Sequence, residues 1–148
     1  MKSLIILFII TISSLSAQTI DYNLKKEFVA NGYDVVAYFN NEAIEGDKKF
    51  TTSLDGIKYK FSSEENLKTF YKNPKKYMPQ YGGYCAYAIA IKSDKVSINP
   101  KTFQIKDDKL YLFYNAWGTN TLDLWKNENE NLLKEKADEN WENIKFKK

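Results

Sequence analysis

The feature that most limits what this chain can become is a pair of adjacent glycines, Gly82-Gly83, set among Tyr77, Tyr81, Tyr84 and Tyr87 with the only cysteine, Cys85, just downstream. Glycine takes positive φ freely and lets another group approach its Cα, so the pair predicts a sharp turn that draws the flanking rings and the sulfur together. Two readings follow. In one, the tyrosines enclose a recognition cavity; in the other, the stretch is a turn into a buried segment and Cys85 is a small core hydrophobe. Past the turn, Ala86, Ala88 and Ala90 alternate with Cys85, Tyr87, Ile89 and Ile91. Alternation suits a strand, an alanine-rich run suits a helix, and the residues alone leave both open.

The start of the chain is of another kind. Met1-Lys2 is positive, Leu4 to Ile12 is apolar, and Ser13-Ser14-Leu15-Ser16-Ala17 supplies small residues before Gln18. Residues 1–17 are therefore expected to be a secretory signal peptide, which places the mature protein in the periplasm or outside the cell. The apolar run is about half of what a membrane anchor needs. No cysteine stands at the cleavage point to carry a lipid, so a soluble mature chain with no membrane span is expected.

The 148 residues, 43% of them hydrophobic, are enough for one domain with a real core. Eleven Tyr, nine Phe and three Trp make that core strongly aromatic. Net charge is +3 and falls to +2 once Lys2 leaves with the signal. Every basic residue is a lysine, which forgoes the bidentate recognition arginine gives, and nucleic acid is not an expected partner. The absence of histidine excludes any imidazole-based catalytic or metal site. A single cysteine forms no internal disulfide, so Cys85 is either buried or used.

Along the mature chain, residues 18–31 read as a loosely held arm touching the core at Phe28-Val29. Gly32 to Phe39 reads as a turn and then a buried extended segment, with Asp34 placed to bond nearby backbone amides or, less simply, to give an oxygen ligand. After a polar loop, a first hairpin turns at Asp55-Gly56 and places Ile57, Tyr59 and Phe61 on one face. Ser62 and Glu65 form a capping-box pattern opening a helix whose stripe is Leu67, Phe70 and Tyr71. Asn73-Pro74 restarts a short helical turn. A second hairpin has Phe103 and Ile105 on one strand and Leu110 to Tyr114 on the other, the latter apolar on both faces. Leu122 and Trp125, then Leu133, Ala137, Trp141 and Ile144, have helical spacing. The expected class is α+β: a small antiparallel sheet shared by the two hairpins, packed with a Ser-capped helix and C-terminal helices.

The run from Tyr59 to Phe70, closing with Asn73-Pro74-Lys75-Lys76-Tyr77, resembles the YHS domain. Gly32 to Phe39, Pro79 to Ala88, Lys109 to Asn115 and Lys136 to Trp141 are similar to an exported, stand-alone bacterial branch of it, so that residues 32–148 look like a single YHS-like domain with a C-terminal helical extension. The resemblance implies a metal-binding module by analogy and no established activity. In metal-binding relatives cysteines stand at the places this chain fills with Ser62 and Asn66. A soft metal such as Cu(I) would then rely on Cys85 and the thioether of Met78. The alternatives are a small-ligand or partner-binding module, with Asp34, Tyr81, Tyr84 and Tyr87 lining an aromatic pocket, and a structural or partner-interaction role with no metal. A thiol-redox protein using Cys85 lacks a histidine or arginine to activate the sulfur, so an enzyme is not expected.

Overall fold

The computed structural model describes residues 18–147. The expected signal peptide, residues 1–17, lies outside the described residues. The class is α+β, with three small sheets and five α-helices.

The first hairpin forms where alternation and turn chemistry agree. Strands β3 (Asp47–Leu54) and β4 (Ile57–Phe61) pair antiparallel across Asp55-Gly56, both at positive φ. Ile57, Tyr59 and Phe61 are buried while Lys58 is exposed, as period-two alternation requires. The amino-terminal arm is not loose. It contributes β1 (Leu24–Lys25) and β2 (Phe28–Val29), and β2 runs parallel to β4, so this sheet is four-stranded and mixed in the order β1-β2-β4-β3.

Helix α1 (Glu64–Lys72) follows at once, its cap one residue later than the capping-box pattern suggests. Ser63 Oγ accepts the Asn66 N–H at 3.1 Å, because Ser62 is engaged elsewhere. Phe70 is buried, whereas Tyr71 faces outward with its hydroxyl 2.7 Å from Thr52 Oγ1. After α2 (Pro74–Tyr77) comes the glycine turn, and it uses glycine for both of the reasons anticipated. Gly82 has φ +60°, and a Cβ there would sit 2.5 Å from the Asp21 carbonyl oxygen. The turn is thus the seat for the arm, which Asn23 ties down by donating to the Gly83 carbonyl at 3.0 Å. The stretch left open between strand and helix is a helix, α3 (Ala86–Lys92).

Strands β5 (Asn99–Lys106) and β6 (Lys109–Phe113) form a sheet of their own, separate from the first hairpin, contrary to the expectation of one shared sheet. The other edge of β6 is taken by the glycine-turn segment, through parallel bridges from Pro79 to Leu110 and from Cys85 to Leu112. Its two faces are both apolar because each enters a different core. Leu110 and Leu112 enter one core with Tyr59, Phe61 and Phe70; Tyr111 and Phe113 enter a second with Ile89, Trp125 and Leu133. A tight hairpin, β7 (Asn115–Ala116) and β8 (Thr119–Asn120), leads to α4 (Thr121–Asn127) and α5 (Glu130–Ile144), the latter packed along α3. Among the described residues no helix is long and apolar enough to cross a membrane.

Candidate functional site

Cys85 stands where the chain leaves the glycine turn and enters α3. Its N–H donates to the Val96 carbonyl at 2.9 Å and its carbonyl accepts the Ile89 N–H at 3.1 Å, so its backbone is fixed on both sides. The sulfur has no exposed surface and lies 3.3 Å from Thr121 Oγ1. Thr121 in turn donates its hydroxyl proton to the Tyr114 carbonyl at 2.8 Å. A hydroxyl has one proton to give, so in the sulfur contact the thiol is the donor. The chain Cys85 S–H, Thr121 O–H, Tyr114 C=O pins the sulfur, fully covered, beside a cavity of about 330 Å³ that Cys85 and Thr121 help to line.

Helix α3 supplies one wall through Tyr87, Ala88 and Ile91, residues that share a face only at helical spacing. Val96, Tyr114 and Leu124 supply the rest, with Thr119 and Lys92 as the polar rim. Tyr87 closes one side by donating to the Glu128 carboxylate at 2.7 Å. That hydrogen bond, and burial after it, raise the phenol's pKa above its ordinary value.

The other sequence-designated residues lie elsewhere. Tyr81, itself at φ +53°, is buried and donates to Asp138 at 2.8 Å, and with Met78 it lines a different cavity of about 440 Å³ beside Trp141. Burial, then the bond to Asp138, push the Tyr81 phenol well upward. Tyr84 is half-buried against Trp141 with ring centroids 6.4 Å apart, beneath the Lys95 ammonium, which pairs with Asp21 at 2.9 Å and also donates to the Phe146 carbonyl. Burial first and the Asp21 carboxylate second push Tyr84 up to about 12. These tyrosines fasten the first and last described segments to the body and do not meet in one cavity with Tyr87.

Asp34 is fully buried and lines neither cavity. Its Oδ1 accepts the Val36 and Ala37 N–H groups at 2.9 and 3.2 Å, turning Gly32 to Phe39 into a 3₁₀ turn at Ala37–Asn40 where an extended segment was expected. Its Oδ2 accepts from the Ser62 N–H, the Ser62 hydroxyl and Asn66 Nδ2 at 2.7, 2.6 and 2.7 Å. The places where the resemblance implies cysteines thus both donate to one carboxylate.

These donors do not make a metal centre. Cys85 and Met78 belong to different cavities, and the Cys85 proton is engaged with Thr121. Among the described residues no three His, Cys, Asp or Glu side chains gather around a point that could hold an ion. Cys85 and Met78 therefore do not converge on one soft-cation site.

Sequence reasoning missed Thr121, Tyr114, Leu124 and Ile91. Ile91 shares a face with Tyr87 in a strand or a helix, but only the helix adds Ala88 to that face and removes Ile89 from it. Thr121 and Leu124 carry no local signal, since their place beside Cys85 is set by how α4 docks. No family model, curated protein or solved structure matches the chain.

Proposed function

We propose that this chain is a binding module for a small, largely apolar ligand, held in the cavity above Cys85. The observation that carries the reading is the cavity itself: about 330 Å³, walled by Tyr87, Ile91, Val96, Tyr114 and Leu124, with the covered, anchored Cys85 beneath it. Its size falls at the lower end of the roughly 300–1,000 Å³ typical of small-molecule sites, and an apolar lining with few polar groups is their usual make-up. Thr119 and Lys92 at the rim would orient a ligand's polar end. Binding without chemistry fits a sulfur whose proton is already donated to Thr121.

The resemblance to YHS domains fits the same reading, as a variant whose coordinating positions have been given over to hydrogen bonding. Supporting it is the convergence of Ser62 and Asn66 on Asp34, which replaces ligands by a closed polar network.

Because Cys85 is the only thiol, its alkylation reports on the cavity. Iodoacetamide should modify the native protein slowly, at a rate independent of low urea, and an apolar fragment that raises the melting temperature should slow it further. Ile91→Trp, at a partly exposed wall position, should abolish fragment binding while the melting temperature stays within a few degrees. Alkylation that tracks the globally unfolded fraction, with no fragment stabilising the wild type, would overturn the proposal.

A further inference from the structure

A second cavity, about 770 Å³, lies at the opposite chemical extreme, and none of its walls belongs to the Cys85 site. Lys25 of β1, Lys26 of the following turn, Lys48 of β3 and Lys60 of β4 all line it, against a single acid, Glu45. Elsewhere among the described residues Lys58, Lys68, Lys76, Lys95, Lys106, Lys134 and Lys145 have a carboxylate at ion-pair distance while others such as Lys72 and Lys136 do not, so what sets the groove apart is that four lysines converge on it. Among the described residues the four groove lysines take part in none of these pairs. The lining thus carries four positive charges against one negative.

The groove is also built. The Lys60 ammonium is held 4.6 Å from the Phe28 ring centroid, a cation–π contact that fixes a half-buried side chain before anything binds. The loop entering β3 presses on the same residue: a Cβ added at Gly46 would stand 2.3 Å from Lys60 Cβ, so only glycine fits. The other wall is strained. Lys26 and Asn31, which line it, and Glu27 and Ala30 between them have positive φ, at 50°, 56°, 72° and 51°, directly before Gly32 at 82°. For Lys26, Glu27 and Ala30 this left-handed region is strained, whereas Asn31 adopts it more readily. A plain connection would use Gly or Asn at such places, and strain of this kind gathers where geometry serves binding.

We infer that this groove is a binding site for a compact polyanion, one bearing phosphate or sulfate groups. Four point charges on three strands and a turn suit several anionic groups at once, and one charge alone would reach only part of the set. Lysine binds phosphate or sulfate oxygens as a point charge with three donors, without the bidentate fork arginine would bring, so affinity here depends on several charges acting on one multiply charged anion. Asn31 and Thr51 add neutral hydrogen-bonding groups on the same walls.

The test is calorimetric titration of the full mature chain at physiological salt with tripolyphosphate, with orthophosphate for comparison and a sulfated disaccharide as a parallel arm to tell the two anion types apart. Tripolyphosphate or the sulfated sugar should bind one to one, at least about tenfold more tightly than orthophosphate. Lys48→Gln/Lys60→Gln should weaken that binding about tenfold or more. Lys72→Gln/Lys136→Gln, which removes the same charge outside the groove, should change it less than about twofold. Should the first double variant fail to fold, Lys25→Gln/Lys48→Gln, both exposed, makes the same comparison. The inference is overturned if neither polyanion binds saturably, or if the outside variant weakens binding as much as the groove variant, since net charge would then explain it. Neither result bears on the Cys85 cavity, which the alkylation assay tests separately.

Discussion

Asp34 shows how one side chain can serve as a local hub. A buried carboxylate is tolerable only when its lone pairs are filled, and here five donors from two distant segments fill them. Replacing it by alanine strands those donors around a void. Asp34→Ala is expected to lose about 3–5 kcal/mol, the range for breaking a buried charged network, and urea denaturation followed by fluorescence would measure it. Asp34→Asn should lose less, because one amide oxygen still accepts while the new NH₂ faces donors. Equal stability of both variants and the wild type would mean that the network contributes nothing. Cys85 is a different case: its hydrogen bond to Thr121 holds it in place, and its small, fully buried side chain makes its role one of packing beside the cavity.

The helix α3 decides the site, and its ends explain its modest length. No side chain caps its amino terminus, where Cys85 is instead held by the Val96 carbonyl. At the other end Ser93 takes φ 50° and ψ 40°, the left-handed C-cap in which glycine is the usual residue. Ser93→Gly should therefore stabilise the protein by roughly 0.5–1 kcal/mol, by removing Cβ strain that outweighs the added freedom of the unfolded chain. The shift in denaturation midpoint at unchanged slope is the measure, and a loss of stability would show that the serine is doing something else there. The same helix carries the candidate ligand wall on Tyr87, Ala88 and Ile91 and the core contact on Ala86, Ile89 and Ala90. A strand would have put Cys85, Tyr87, Ile89 and Ile91 together and made no such cavity.

For the whole molecule, β6 is the shared wall of two aromatic cores, and the first and last described segments are joined over the second. Ile20 bridges to Phe146, the Asp21 N–H donates to the Lys145 carbonyl at 2.7 Å, and Lys95 ties both to Tyr84 and Trp141. So many enclosed phenols give the fold an alkaline limit. Tyr84 and Tyr111 are each pushed up to about 12, burial being the first cause in both, and Tyr38, Tyr59 and Tyr81 are raised further. An unfolded tyrosine titrates near 10, so folding favours the neutral form. This contribution is complete below about pH 10 and is lost as pH rises through the folded values near 12. Denaturation midpoints should be level to about pH 10 and fall steadily above it, with phenolate absorbance of these residues appearing together with unfolding. Midpoints unchanged to pH 12 would contradict the burial of these rings.

Local pattern alone determined the hairpin at Asp55-Gly56, the doubly apolar strand Leu110 to Phe113, the helical spacing from Leu133 to Ile144 and the demand for glycine at Gly82. In each, the cause lies within a few residues: side-chain period, turn conformation or backbone freedom. Tertiary structure decided what those causes leave undetermined. It bound Asp34 to Ser62 and Asn66 across the chain, drew the arm into the first sheet beside β4, kept the two hairpins in separate sheets, and made 86–92 a helix where strand and helix propensities nearly balance. It also dispersed the tyrosines around Gly82-Gly83 to different neighbours and set Thr121 beneath the sulfur of Cys85. Such placements depend on how distant segments dock, and docking energy is a property of assembled surfaces that no short window of residues contains.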